Sequence, residues 1–144
     1  GRIKGRERNA LNLIPITMEV AAGIREKMQV FGDNYDTHDG TGVRDYIHVS
    51  DLAIAHMKAL NYISENDKDL LVNLATGEGH SVLDVINKSK EVSGKDIPFD
   101  IVGRRAGDPA TVVAVSNRAN KVLDWSTKYS DLDTLIRTAW DVYK

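Results

Sequence analysis

The sequence predicts an α/β fold built from short strands. Three observations predict it. Apolar residues recur at helical spacing in several separate stretches, short apolar runs lie between them, and glycine-rich turns divide the two kinds of segment. Pro15 stands where the first turn of a helix tolerates it, and Ile16, Val20, Ile24 and Met28 follow at helical spacing. A helix is therefore expected over residues 14–27. Residues 28–31 read as a strand stopped by Gly32, and the Asp-, Asn-, Thr- and Gly-rich residues 33–42 as a loop. A second strand is expected at residues 45–49, then a helix capped by Ser50 that carries Leu52, Ala55, Met57, Ala59 and Leu60.

Residues 70–74 form a third apolar run, followed by a turn at residues 76–79. Ser81, with Asp84 three positions on, resembles a capping box, although Glu or Gln is the preferred partner. The helix it opens has Val82, Val85, Ile86 and Val92 as its apolar stripe and Gly94 as its stop. Strands at residues 97–102 and 111–115 flank a loop holding Arg104, Arg105, Gly107 and Asp108. Two helices close the chain, one opened by Ser116 and one by Ser130. The last places Leu132, Leu135, Ile136, Ala139, Trp140 and Tyr143 on one face.

Composition bounds what such a fold can do. At 144 residues, with 42% hydrophobic and 28% charged residues, the chain has the size and make-up of one soluble domain. No apolar run approaches the ~18 residues of a transmembrane helix, so no membrane partner is expected and the cytoplasm is the default compartment. With no cysteine, the chain has no disulfide, thiolate metal site or cysteine nucleophile. Net charge is −2, which disfavours nucleic acid as a partner. A local excess lies in the first nine residues, where Arg2, Lys4, Arg6 and Arg8 face only Glu7. A solvated tail is the expectation there, and a groove for a polyphosphate the alternative.

Several familiar chemistries fail on spacing. The Gly77-x-Gly79-x-x-Val82 turn lies between strand and helix, as a dinucleotide fingerprint does, but its third small residue is the branched Val82. The acidic loop around Gly40 does not fit an EF-hand, because Tyr35 and Tyr46 fall where carboxylates are required. His38, His48, His56 and His80 form no i, i+4 pair and are expected to be structural or on the surface. No metal is expected. There is no Gly-x-Ser-x-Gly elbow, and the serines read as helix caps. The stronger polar signal is Arg44-Asp45-Tyr46 together with Arg104-Arg105-x-Gly107-Asp108. Guanidinium forks match phosphate oxygens and a carboxylate accepts from hydroxyls. Composition alone favours surface ion pairs with neighbouring aspartates.

A longer pattern changes that balance. The run from Phe31-Gly32 through Tyr35-Asp36-Thr37, Asp39-Gly40-Thr41-Gly42-Val43-Arg44-Asp45-Tyr46-Ile47-His48-Val49 and Asp51-Leu52-Ala53 closely resembles the UDP-glucose 4-epimerases of the extended short-chain dehydrogenase/reductase superfamily. Asn12-Leu13-Ile14-Pro15, Asn73-Leu74-x-Thr76-Gly77, Ser81 to Val85, Arg104 to Ala110 and the close from Ala119 to Trp125 match in the same order. The first eleven residues match poorly.

The resemblance implies that residues 1–144 are the carboxy-terminal, substrate-binding lobe of such an enzyme, without its main Rossmann half. The strand at residues 70–74 would belong to that absent half's sheet. The implied reaction is NAD-dependent epimerisation at C4 between UDP-glucose and UDP-galactose, in galactose metabolism. NAD would be bound by the amino-terminal half, which carries the family's Tyr-x-x-x-Lys. No tyrosine here has lysine four residues on, so no catalytic residue is assigned and the isolated chain is expected to be inactive. Carried over by position, Asn12 and Leu13 would lie by the phosphates and Gln29 and Phe31 against the uracil. Arg44 and Arg105 would pair with the pyrophosphate, Asp108 would accept from the ribose, and Tyr46 and Val82 would line the pocket. Val112 stands where some members place an aromatic residue on the sugar. Two rival readings stay open: a stand-alone nucleotide-binding module without redox activity, and a non-functional truncated product. An exposed lobe interface predicts self-association.

Overall fold

A computed structural model describes residues 5–7 and 9–144 of the chain. Arg2, Lys4 and Arg8 of the basic amino-terminal run lie outside the described residues; Arg6 is described, and its guanidinium sits 5.6 Å from the centroid of the Tyr143 ring. In chain order the elements are α1 (Leu13–Ala21), β1 (Met28–Phe31), β2 (Val43–Arg44), α2 (Val49–Asn66) and β3 (His80–Ser81). They continue with α3 (Val82–Ser93), β4 (Phe99–Val102), β5 (Thr111–Val112), α4 (Asn117–Leu123) and α5 (Leu132–Tyr143).

The strands form two small sheets. β1 and β4 run parallel, with Met28 opposite Phe99 and Phe31 opposite Val102. β2 is the centre of the other sheet, antiparallel to β3 and parallel to β5. Helices α1, α3 and α5 pack on one another beside the first sheet. Their apolar faces supply Val20, Ala21 and Ile86 to a core shared with Met28, Val30 and Ile97. A neighbouring cluster joins Met18, Val85 and Ile136. A third core, away from these, packs α2 on α4 around Trp125, which is 1% exposed and whose indole N–H donates to Asp51 O at 3.0 Å.

Most expected elements exist, and their ends are where the readings need correcting. α1 stops at Ala21, six residues before the expected end. Gly23 takes a left-handed φ of +70°, and Ile24 and Arg25 fold back to donate to Glu19 O, so Ile24 leaves the buried stripe. The strand expected at residues 45–49 is instead the two-residue β2 at Val43–Arg44. Residues 45–48 are bound by side chains: Asp45 clamps the Thr76–Gly77 turn, and His48, not Ser50, caps α2 by accepting from Ser50 N–H at 3.0 Å. Residues 70–74 pair with no described strand, although Leu70, Val72 and Leu74 pack on the Trp125 core. The strands expected at 97–102 and 111–115 are trimmed to β4 and β5. Asp131 rather than Ser130 caps α5, accepting from Thr134 N–H at 2.9 Å, and leaves Ser130 for Asp51.

The capping box at Ser81 and Asp84 is complete in both directions, and Gly94 ends α3 in the left-handed conformation.

Candidate functional site

Parallel strands bring the loops that follow them to one end of a sheet, and here those loops carry Tyr35 and Arg105, which both line one cleft. Phe31 ends β1 and its partner Val102 ends β4, so Gly32 and the Gly103–Arg105 turn emerge side by side; Gly32 N–H donates to Val102 O at 2.9 Å. Gly32 has a φ of +88°, and a Cβ there would collide with Arg104 Cγ and lie 2.9 Å from Tyr35 Cε2. The close approach of these two side chains requires glycine.

The second sheet brings Arg44 to the same place. Val43 N–H donates to Ala110 O at 2.8 Å and Asp45 N–H to Val112 O at 3.2 Å, which draws the loop before β5 against β2. Arg44 donates to Val43 O at 2.7 Å and its other terminal nitrogen pairs with the Asp108 carboxylate. The ion pair that composition favoured is therefore present for Arg44. Arg105 differs: its guanidinium carbon lies 3.8 Å from the centroid of the Phe31 ring, and among the described residues no carboxylate pairs with it.

One cleft collects these groups. Leu13, Gln29, Phe31, Arg44, Tyr46, Val82, Arg105 and Asp108 all line it. Of the nine positions expected from the resemblance, Asn12 is the exception. It is the exposed cap residue of α1, its carbonyl accepting from Ile16 N–H at 3.0 Å, and it sits beside the cleft rather than in its wall. The cleft also includes Tyr35, which the assignment of roles omitted although it lies in the motif itself. Its hydroxyl is buried and has no hydrogen-bond partner among the described residues. Val112, in β5, is half exposed and does not line the cleft.

The cleft wall combines the apolar side chains of Leu13, Ile16, Met28, Val30 and Val82 with the charged groups of Arg44, Arg105 and Asp108. Such a lining suits a molecule that carries both a flat ring and anionic oxygens. Burial pushes the Tyr46 phenol up to about 12, with Arg44 opposing the rise and Asp84 adding to it, so Tyr46 is neutral at physiological pH.

Two neighbouring features resemble ligand sites and are explained by the protein's own groups. At the Gly77 turn, Asp45 accepts from Thr76 N–H and Gly77 N–H, both at 3.1 Å, and at the helix start, where a pyrophosphate would sit, Val82 N–H and Leu83 N–H donate to Gly42 O and Thr41 Oγ1. At the start of α3, the fold brings His38, Asp39 and Asp84 within 4.8 Å, a grouping the spacing did not reveal. Asp39 there accepts from Thr41 N–H and Oγ1 and from Ser81 Oγ, while Asp84 accepts from Ser81 N–H. Burial alone would raise the Asp39 carboxyl, but these hydrogen bonds and His38 outweigh it and hold its pKa below the ordinary value. The carboxylates fasten the loop onto the helix.

Residues 3–139 match the family model described as GDP-mannose 4,6 dehydratase. The chain belongs to that family. A UDP-glucose 4-epimerase of Lacticaseibacillus casei is 45% identical over 130 residues, 90% of this chain and 39% of its own length. The crystal structure of UDP-glucose 4-epimerase from Brucella ovis in complex with NAD superposes with a TM-score of 0.94 at 41% identity, covering 99% of this chain and 44% of that one. The Stenotrophomonas maltophila enzyme with bound NAD and formylated UDP-arabinopyranose gives 0.91 at 43% identity, over 96% and 41%. The chain spans about two-fifths of the length of these relatives. Its α/β fold thus corresponds to part of an extended short-chain dehydrogenase/reductase domain, as the sequence pattern implied. Among the described residues no helix is long and apolar enough to cross a membrane.

Proposed function

We propose that this chain is the nucleotide-sugar-holding part of a UDP-glucose 4-epimerase. One observation carries the reading: side chains from α1, β1, β2, α3 and the loop before β5 converge on a single cleft with an aromatic wall and two guanidiniums. In this reading the uracil lies against Phe31 and Gln29 and the diphosphate runs to Arg44 and Arg105. Asp108 accepts from a ribose hydroxyl while also orienting Arg44. Leu13, Tyr46 and Val82 close the walls, and Asn12 meets the phosphates from the cleft's edge. Hydrogen bonds to charged groups are worth about 1.5–3 kcal/mol each, so the two arginines would supply much of the affinity.

The described residues do not fit NAD. At the glycine-rich turn that most resembles a dinucleotide seat, Asp45 binds the turn and Gly42 O and Thr41 Oγ1 take the first N–H groups of the helix. The chain's part is to fix the nucleotide, leaving the hexose free to reorient, while oxidation belongs to a portion of a longer enzyme. Titration calorimetry with UDP tests the grip: Arg44→Ala and Arg105→Ala should each raise Kd at least tenfold. The chain alone should not convert UDP-galactose, with or without added NAD. Turnover by the chain would overturn the assignment of roles, and absence of UDP binding would overturn the site. Binding as tight as an intact nucleotide enzyme's would favour a self-sufficient binding module instead.

A further inference from the structure

Both members of the Arg104–Arg105 tandem lie on aromatic rings, at 3.8 Å from the centroids of Tyr35 and Phe31 respectively. Arg105 and Phe31 both line the cleft, whereas Arg104 does not. Asp108, the carboxylate nearest Arg105 in sequence, is taken by Arg44, and among the described residues nothing else pairs with the Arg105 guanidinium. The fork best placed to meet an anion therefore rests on the flat ring best placed to meet a base. These two uses exclude each other. While Arg105 lies on Phe31, that face cannot stack a planar base. Once the guanidinium turns to an anion, the face is open. A cation over a partly exposed ring is held weakly, and a charge-assisted fork onto phosphate oxygens is stronger, so an incoming phosphate wins the contest.

We propose that Arg105 makes the cleft selective for nucleotides over nucleosides. The phosphates of the ligand draw the guanidinium off Phe31 and so uncover the ring for the base, whereas a nucleoside has to displace it unaided. This rests on the reading that a uridine diphosphate occupies the cleft, and it names the residue that couples phosphate binding to base binding instead of leaving the two contributions independent.

The test measures Kd for UDP and for uridine with the purified chain, its Arg105→Ala variant and its Arg104→Ala variant, using calorimetry for UDP and ligand-observed NMR for uridine. The expected result is two changes of opposite sign. Arg105→Ala raises Kd for UDP at least tenfold and lowers Kd for uridine about two- to fivefold, the weight of one exposed cation–π contact. Arg104→Ala leaves uridine within twofold. Uridine binding that is unchanged or weaker in Arg105→Ala overturns the inference and leaves the reading of the cleft standing. So does an equal gain in Arg104→Ala, which loses the same charge from Tyr35 rather than Phe31. UDP affinity within twofold of wild type in Arg105→Ala also overturns it. A wild-type chain that binds neither ligand overturns the reading of the cleft, and the inference with it.

Discussion

Ser130 Oγ donates to the Asp51 carboxylate at 2.6 Å, joining the segment before α5 to the first turn of α2 across 79 positions of sequence. The same carboxylate accepts from Lys128 N–H at 3.0 Å and Tyr129 N–H at 2.9 Å, and Asp51 is 0% exposed. Its own carbonyl accepts from Trp125. Asp51 therefore ties the last connection of the chain to the core that packs α2 on α4. Replacing it strands three donors at once. Asp51→Ala should cost about 3 kcal/mol or more, and Ser130→Ala about 1–2 kcal/mol, read from urea denaturation followed by tryptophan fluorescence.

The same carboxylate gives a pH dependence of known sign. Burial acts to raise the Asp51 pKa, but the Ser130 hydroxyl, the two backbone donors and His48 outweigh it and hold it below its ordinary value. A carboxylate with a depressed folded pKa adds stability that is fully present above its unfolded pKa of about 3.9 and is lost as pH falls through the folded value. The melting temperature should thus fall between about pH 5 and pH 2. In Asp51→Asn this acid limb should be shallower than in wild type, with the slope that remains coming from Asp39, Asp96 and Asp131, whose pKa values are also depressed. An unchanged acid limb in Asp51→Asn would count against the assignment.

Arg44 makes three contacts from one planar group: Val43 O, Ala110 O at 3.5 Å and the Asp108 carboxylate. A lysine ammonium cannot span these directions together. Arg44→Lys should keep the charge yet weaken UDP binding about tenfold, with a smaller loss of thermal stability because the pair is part-exposed. A calorimetric Kd within twofold of wild type would show that charge alone suffices.

Gly40 is the tight point of the loop that leads into β2. Its φ is +81°, and a Cβ there would strike the Asp33 carbonyl oxygen. Gly40→Ala meets both backbone strain and a backbone clash, and should cost about 1–3 kcal/mol of stability. Because Tyr35 N–H donates to Gly40 O at 2.9 Å, the same change should disturb Tyr35 in the cleft wall and lower UDP affinity. Thermal melts and calorimetry on one preparation separate the two effects.

Much of this was legible in the sequence where local chemistry decides structure. The Ser81–Asp84 box, the Gly94 stop and the apolar face of α5 depend on neighbours within a few residues, and each is where its pattern put it. The early end of α1 at Gly23 is also local, but the two misassigned caps involve a different cause. The His48 cap is a contact with Ser50 two residues on, but its backbone is held by a distant group: His48 N–H donates to Ser130 Oγ at 2.9 Å across 82 positions, and Ser130 is diverted from capping α5 because it in turn reaches Asp51. The sharing of Asp108 with Arg44 and the laying of Arg105 on Phe31 are of the same kind, since sequence named the residues without their pairing.

The exposed face of α2 carries the remaining prediction. Val49, Met57, Leu60 and Ile63 recur at helical spacing and are 72%, 62%, 59% and 46% exposed, and Leu71 nearby is 82% exposed. Ala53 continues the stripe between Val49 and Met57. Single exposed apolar residues are ordinary, but a stripe along an 18-residue helix opposite the Trp125 core has the pattern of a surface meant to be covered. In the purified chain a second copy is the available cover. Sedimentation velocity should show a weight-average mass that rises with concentration. Leu60→Glu, which puts a charge in the middle of the stripe without touching the core, should return the chain to a monomer while leaving UDP affinity within twofold. A chain that stays monomeric at high concentration, with wild-type α2, would show that this stripe does not drive association on its own.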